Sequence, residues 1–200
     1  MIKNIILDFG DIFINLDKPA VFTELSKFGY SGMTTELDTL AKTYEKGLIS
    51  SSTFILELNN HFPTASPVEL KKAWNSILLD FPENRLEFIE ALASEDKYRL
   101  FLLSNTNEIH IDHVIETMGT ERFNRFKFCF ERFYLSHEIN FRKPDCNIYE
   151  YVLLENKLIP EETFFIDDTK ENTDAATLLG IKSWNLQVGK EDIIDLKTRL

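Results

Sequence analysis

The chain has 200 residues, 44% of them apolar and 28% charged, with a formal net charge of -11 at neutral pH. That length and composition describe one soluble domain with a sizeable core, or a core with a modest insert, and exclude a disordered or low-complexity chain. The acidic balance argues against a nucleic-acid surface and against attraction to anionic membranes, since both need clustered Lys and Arg.

Cys129 and Cys146 show neither a Cys-x-x-Cys spacing nor accompanying histidines, so no disulfide framework or zinc site is indicated. Asp8 interrupts the amino-terminal apolar run too early for a signal-peptide core, and no stretch approaches the roughly 18 apolar residues of a membrane span. The expectation is a cytoplasmic protein with no membrane partner.

Taken in order, the chain opens with Ile5-Ile6-Leu7, an apolar run ending abruptly in Asp8, Phe9 and Gly10. This reads as a buried strand delivering a carboxylate to a loop. Alone, Asp8 is equally an ordinary turn residue. From residue 17 to 91 the pattern is helical throughout. Val21, Leu25 and Phe28 recur at helical spacing before Gly29, and Leu37, Leu40, Ala41 and Tyr44 before Gly47. Ser50-Ser51-Ser52 and Ser66-Pro67-Val68-Glu69 are helix starts, the second with Pro at the first helical position and Glu at the third. A further helix carries Leu86, Phe88, Ile89 and Leu92.

Strands and helices then alternate. Leu100-Phe101-Leu102-Leu103 hands Ser104 and Asn105 to a loop, and a helix from Glu108 to Met118 closes at Gly119. Phe133-Tyr134-Leu135 is a short strand, Arg142-Lys143-Pro144-Asp145 precedes a helix, and Thr163 to Ile166 is a strand ending in Asp167-Asp168. Asn172, Ala175, Ala176 and Leu179 lie on a helix closed by Gly180, and Ile181 to Trp184 is a last strand. The predicted class is α/β: a Rossmann-like, doubly wound parallel sheet formed by residues 1–16 and 92–200, with an all-helical cap inserted at 17–91.

In such sheets the ligand crevice lies beyond the carboxyl ends of the strands. Asp8, Ser104 with Asn105, Lys143, and Asp167 with Asp168 all fall there. Carboxylates about 4 Å apart repel by roughly 4 kcal/mol at an effective dielectric of 20, so gathering Asp8 and Asp168 calls for a cation. An all-oxygen donor set without nearby His or Cys suits Mg²⁺. Asp8 is then placed to attack phosphorus and form an aspartyl-phosphate, with Ser104, Asn105 and Lys143 holding the phosphoryl oxygens.

These four segments, in this order, resemble the four motifs of the haloacid dehalogenase (HAD) superfamily: Asp8-Phe9-Gly10, Ser104-Asn105, Arg142-Lys143-Pro144-Asp145, and Ile166-Asp167-Asp168 with Asn172. The insert resembles that superfamily's C1 cap. The form of the first and third motifs is similar to the small sugar-phosphate phosphatases of the α-glucose-1-phosphate type. The resemblance implies a Rossmann-like core and an Mg²⁺-dependent phosphatase acting on a small phosphorylated metabolite. It implies Asp8 as nucleophile, Ser104 and Lys143 as phosphate ligands, and Asp8, Asp168 and the Gly10 carbonyl as metal ligands, with Asp167 and Asn172 supporting.

The chain departs from that pattern at two positions. Gly10 stands where most phosphatases of the superfamily carry a second Asp as general acid and base. Asp11 is the neighbouring carboxylate that could stand in. The same substitution is what motivates a catalytically weak member that binds a phosphometabolite or a protein. A dehalogenase also lacks the second Asp, but such enzymes work without metal and carry small polar residues where this chain has Asp167-Asp168. The other departure, Asn140 where a glycine commonly precedes the Lys-Pro pair, is harmless, because Asn tolerates a left-handed backbone. The Arg122–Phe128 stretch reads as core packing beside a strand, Trp74 as cap core, and His110 and His113 as surface or packing residues.

Overall fold

A computed structural model describes residues 1–200. Five parallel strands form one sheet: β1 (Asn4–Leu7), β2 (Arg99–Ser104), β3 (Arg132–Leu135), β4 (Thr163–Asp167) and β5 (Lys182–Asn185), in the order β3-β2-β1-β4-β5. The chain therefore starts at the sheet centre, builds outwards one way through β2 and β3, and returns to build the other way through β4 and β5. Leu7 pairs with both Leu102 and Ile166. That register sets Asp8 beside the end of β4 and level with the end of β2.

Alternation along the strands feeds two apolar layers. Ile5, Leu7, Leu100, Leu102, Phe164 and Ile166 point into one cluster, while Ile6, Phe101, Leu103 and Phe165 point into the other. Helices α9 (Cys146–Asn156) and α10 (Lys170–Leu178) cover the second layer through Ile148, Tyr149, Val152, Ala175 and Ala176. The first is covered by α5 (Glu83–Ser94), α6 (Glu108–Met118) and α7 (Thr120–Lys127), and by Ile193 and Leu196 near the carboxyl terminus.

The insert consists of α1 (Ala20–Ser26), α2 (Thr35–Glu45), α3 (Ser51–His61) and α4 (Pro67–Asn75), whose apolar faces form a third cluster joined by Ile109 of α6. Its helix starts follow the residues that announce them. Ser50 accepts from Thr53 N, and Ser66 and Glu69 close a reciprocal capping box around Pro67. A two-stranded stalk joins insert to core: Asn15 and Leu79 bond in one direction, Asp17 N reaches Ile77 O, and Leu16 faces Leu78 antiparallel.

One expectation is corrected. The expected cap boundary at residue 91 cuts through α5, whose Leu86, Ile89 and Leu92 pack into the sheet cluster and not into the cap. An apolar stripe says that a helix buries a face, without saying against what. The packing returns the chain to the core at the stalk, near residue 80. The Arg122–Phe128 stretch feeds the core as expected, and does so from a helix: Phe123 and Phe126, three apart on α7, are buried against Phe133 and Phe130. Asn140 adopts the left-handed conformation allowed for it, with φ at 60°. No helix is long and apolar enough to cross a membrane.

Candidate active site

A cleft of about 280 Å³ opens between cap and sheet at the carboxyl ends of β1, β2 and β4. Its floor carries Asp8, Gly10, Ser104, Asn105, Lys143 and Asp168, and the cap and stalk contribute Leu16, Lys18, Glu45, Ile77 and Leu78. So residues spread over the chain from 8 to 168 meet in one cavity. Asp11 and Asp167 are not among the lining residues.

Lys143 is the hub. Only 1% exposed, it bonds through Nζ to Asp8 Oδ1 at 2.8 Å, Asp167 Oδ2 at 2.6 Å and the Leu103 carbonyl at 2.7 Å. Burial works against its charge, but the two carboxylates outweigh that and raise its pKa. Asp167 is held from its other side by Thr169 N and the Asn172 amide, so this pair orients the lysine from below. Carboxylate oxygens of Asp8, Asp167 and Asp168 lie within 4.8 Å of one another. Burial raises the Asp8 pKa, Lys143 opposes the rise and Asp167 adds to it. Three hard oxygen donors so close, mutually repelling, fit a divalent cation such as Mg²⁺.

Two predicted roles look different at atomic detail. The Asn105 side chain is committed to the Lys143 backbone, accepting its N–H at 2.9 Å and donating to its carbonyl at 2.9 Å, so it fixes the lysine and leaves phosphate contact to others. Asp11, offered as a stand-in acid, sits in a left-handed turn with φ at 55°, accepts Leu16 N at 3.0 Å and pairs with Lys18 at 2.9 Å. Its carboxylate faces the stalk. Gly10 also has a spatial reason: a Cβ there would lie 2.8 Å from Leu16 Cδ1, so the stalk leucine fills the volume a side chain would take.

Lys18 was not singled out from the sequence. Its Nζ bridges Asp168 at 2.6 Å and Asp11 at 2.9 Å; burial lowers its pKa, but the bonds to Asp168 and Asp11 prevail and raise it. Charge balance was the available signal, because Asp8, Asp11, Asp167 and Asp168 are too many carboxylates for Lys143 alone. His110 also lines the cleft. It stacks on Trp74 with ring centroids 5.3 Å apart, donates Nε2–H to the Trp74 carbonyl and accepts from Asn107 at Nδ1. It is thus a cap-to-core contact, as expected of a packing residue.

Burial pushes the His110 pKa down to about 4 from 6.5, with the Trp74 carbonyl opposing. A histidine held neutral in the fold binds fewer protons than in the unfolded chain between those values, so stability is lost as pH falls from 6.5 towards 4. Chemical denaturation at pH 7 and at pH 4.5 should show wild type losing about 2 kcal/mol more over that interval than His110→Asn. Equal losses in both proteins would refute the assignment.

A family profile described as haloacid dehalogenase-like hydrolase matches residues 24–186. D-ribitol-5-phosphate phosphatase of Bacteroides thetaiotaomicron is 26% identical over 197 residues, covering 96% of this chain and 95% of that protein. A HAD-family enzyme of the same organism, solved as wild-type protein with magnesium and inorganic phosphate, superposes with a TM-score of 0.78 at 31% identity over 96% of this chain and 97% of its own. A HAD-like hydrolase from Porphyromonas gingivalis gives a TM-score of 0.82 at 27% identity, covering 100% and 97%.

Proposed function

This chain belongs to the haloacid dehalogenase-like hydrolase family, and from that we propose an Mg²⁺-dependent phosphatase of a small phosphorylated sugar or polyol, working through an aspartyl-phosphate on Asp8. The observation that carries the proposal is the convergence of Asp8, Asp167 and Asp168 within 4.8 Å, beside a buried Lys143, on the floor of a capped cleft. A cavity of about 280 Å³ suits a small metabolite. Likeness along nearly its whole length to a protein named for D-ribitol 5-phosphate supports a sugar or polyol phosphate.

Asp8 attacks phosphorus with its carboxylate, and the bond to the leaving oxygen breaks; water then cleaves the acyl phosphate and restores the carboxylate. Lys143, 2.8 Å away, orients the attacking group and balances the charge of the phosphoryl oxygens. Ser104 presents its hydroxyl to one of those oxygens. Asp8, Asp168 and the Gly10 carbonyl would hold Mg²⁺, which when bound neutralises the carboxylates and the phosphate. Asp167, Asn172 and Asn105 position Lys143. The free thiols of Cys129 and Cys146 suit a reducing compartment, in line with a cytoplasmic protein.

Gly10 favours a second reading. With Leu16 in its space and Asp11 turned to the stalk, neither position brings an acid to the leaving group, as in a weak family member that binds a phosphometabolite or a protein partner. The acidic doublet Asp167-Asp168 weighs against a dehalogenase. Hydrolysis of p-nitrophenyl phosphate with and without Mg²⁺ discriminates. Metal-dependent turnover is the expected result; its absence would leave the binding role as the better reading.

A further inference from the structure

We propose that the Glu45–Arg142 ion pair reads the leaving group and selects a polyhydroxylated carbon chain, an inference that rests on the phosphatase reading above. Glu45 is the last residue of α2 in the cap, and Arg142 directly precedes Lys143; both line the cleft that holds Asp8 and Ser104. Arg142 Nε donates to Glu45 Oε2 at 2.5 Å and Nη1 donates to the Lys143 carbonyl at 2.9 Å. Glu45 Oε1 and Arg142 Nη2 are left without partners in the protein. The pair is about three-quarters buried, with side-chain exposures of 21% and 24%, so a ligand entering the cleft meets a free acceptor next to a free donor.

A hydroxyl both donates and accepts, and so satisfies the two together. An alkyl or aryl leaving group offers neither bond and takes solvent from both charged groups. Leu16, Ile77, Leu78 and Val114 also line the cleft and offer apolar contact to the C–H groups of the same chain. The cavity therefore offers both polar partners for hydroxyls and apolar side chains for carbon.

The pair is seated rigidly. Ser136 Oγ donates to the Glu45 carbonyl at 2.6 Å, Asn140 Nδ2 donates to the Lys46 carbonyl at 2.8 Å, and Lys46 pairs with Asp145 at 2.8 Å. Gly47, with φ at 64°, passes so close to α8 (Ser136–Ile139) that a Cβ would lie 1.9 Å from the His137 carbonyl oxygen. These contacts hold the end of α2 against the core, so Glu45 is preorganised although it belongs to the cap. The bond from Arg142 to the Lys143 backbone fixes the distance between hydroxyl reader and phosphate site.

The readout is a selectivity ratio: kcat/KM for polyol phosphates of three to six carbons, divided by that for n-alkyl phosphates of equal length, with Mg²⁺ saturating. Wild type should favour the polyol by about 10- to 100-fold, the scale of one or two charge-assisted hydrogen bonds. In Arg142→Met and Glu45→Ala the ratio should fall towards one, mainly through a higher KM for the polyol, while Glu45→Gln, which keeps an acceptor, should retain part of it. A pair that merely clasps cap to core would slow both substrates equally and leave the ratio intact, which would overturn the inference, as would a wild-type ratio near one. Metal-dependent hydrolysis of p-nitrophenyl phosphate without polyol preference sinks this inference alone; no metal-dependent hydrolysis of any substrate sinks the phosphatase reading and this inference with it.

Discussion

Lys143→Met is expected to abolish turnover and to lower the melting temperature of the metal-free protein by roughly 10 °C, the shift that a loss of about 3–5 kcal/mol gives in a chain of this length. Methionine, unbranched and one atom shorter, keeps most of the packing of the stem but removes the charge. Nζ is the ammonium in contact with Asp8 at 2.8 Å and Asp167 at 2.6 Å, and Asp167 is fully buried. Without it two carboxylates remain in the interior with no compensating cation, and their desolvation is no longer offset. The double variant Lys143→Met/Asp167→Asn removes one orphan charge while preserving shape, and should recover several degrees without recovering activity. Differential scanning calorimetry, with enzyme assays on the same samples, separates the two effects. A Lys143→Met protein that melts within 2 °C of wild type would mean that the buried pairs contribute almost nothing, and the hub described here would be wrong.

The residues of this hub were legible because parallel strands announce their own ends. Apolar runs stopping at Asp8, Ser104 and Asp167 mark three points where buried backbone gives way to loop, and in an open α/β sheet those points share one edge. Lys143 is reached through its Lys-Pro pair, which sits ahead of α9. Residues supplied by the insert were not legible. Periodicity puts Glu45 on a helix, but which helix end meets the cleft depends on how four short helices dock, a tertiary matter that Ser136, Asn140 and Gly47 settle. Lys18 falls at the very start of the insert, ahead of the first apolar repeat at Val21, where periodicity gives it no role. Asp11 misled for a local reason: adjacency to Asp8 suggested a shared destination, whereas its left-handed backbone turns the side chain back to Leu16 N. Helix α5 showed the remaining limit, since its stripe of Leu86, Ile89 and Leu92 served the sheet as well as it would have served the cap.

Asp8→Asn should separate activity from stability in opposite directions. Turnover of p-nitrophenyl phosphate with Mg²⁺ is expected to fall by about 10³-fold or more, because an amide is not a nucleophile towards phosphorus and forms no acyl phosphate. Metal-free stability at neutral pH is expected to rise. Burial, with Asp167 and Asp168 nearby, holds the Asp8 pKa above its ordinary 3.8, although Lys143 works the other way. A carboxyl group whose folded pKa is raised keeps its proton longer in the folded state than in the unfolded chain. Stability in wild type is therefore lost as pH climbs above 3.8, and the asparagine variant escapes that loss. Mg²⁺ should raise the melting temperature of wild type by mass action, and raise it less in the variant, which has one carboxylate fewer to offer. An aspartate serving only the fold would behave otherwise: its removal would lower the melting temperature and leave a proportionate share of activity in the surviving molecules. Retention of more than about 1% of wild-type turnover would require a different nucleophile, since covalent catalysis through Asp8 leaves no route around its loss.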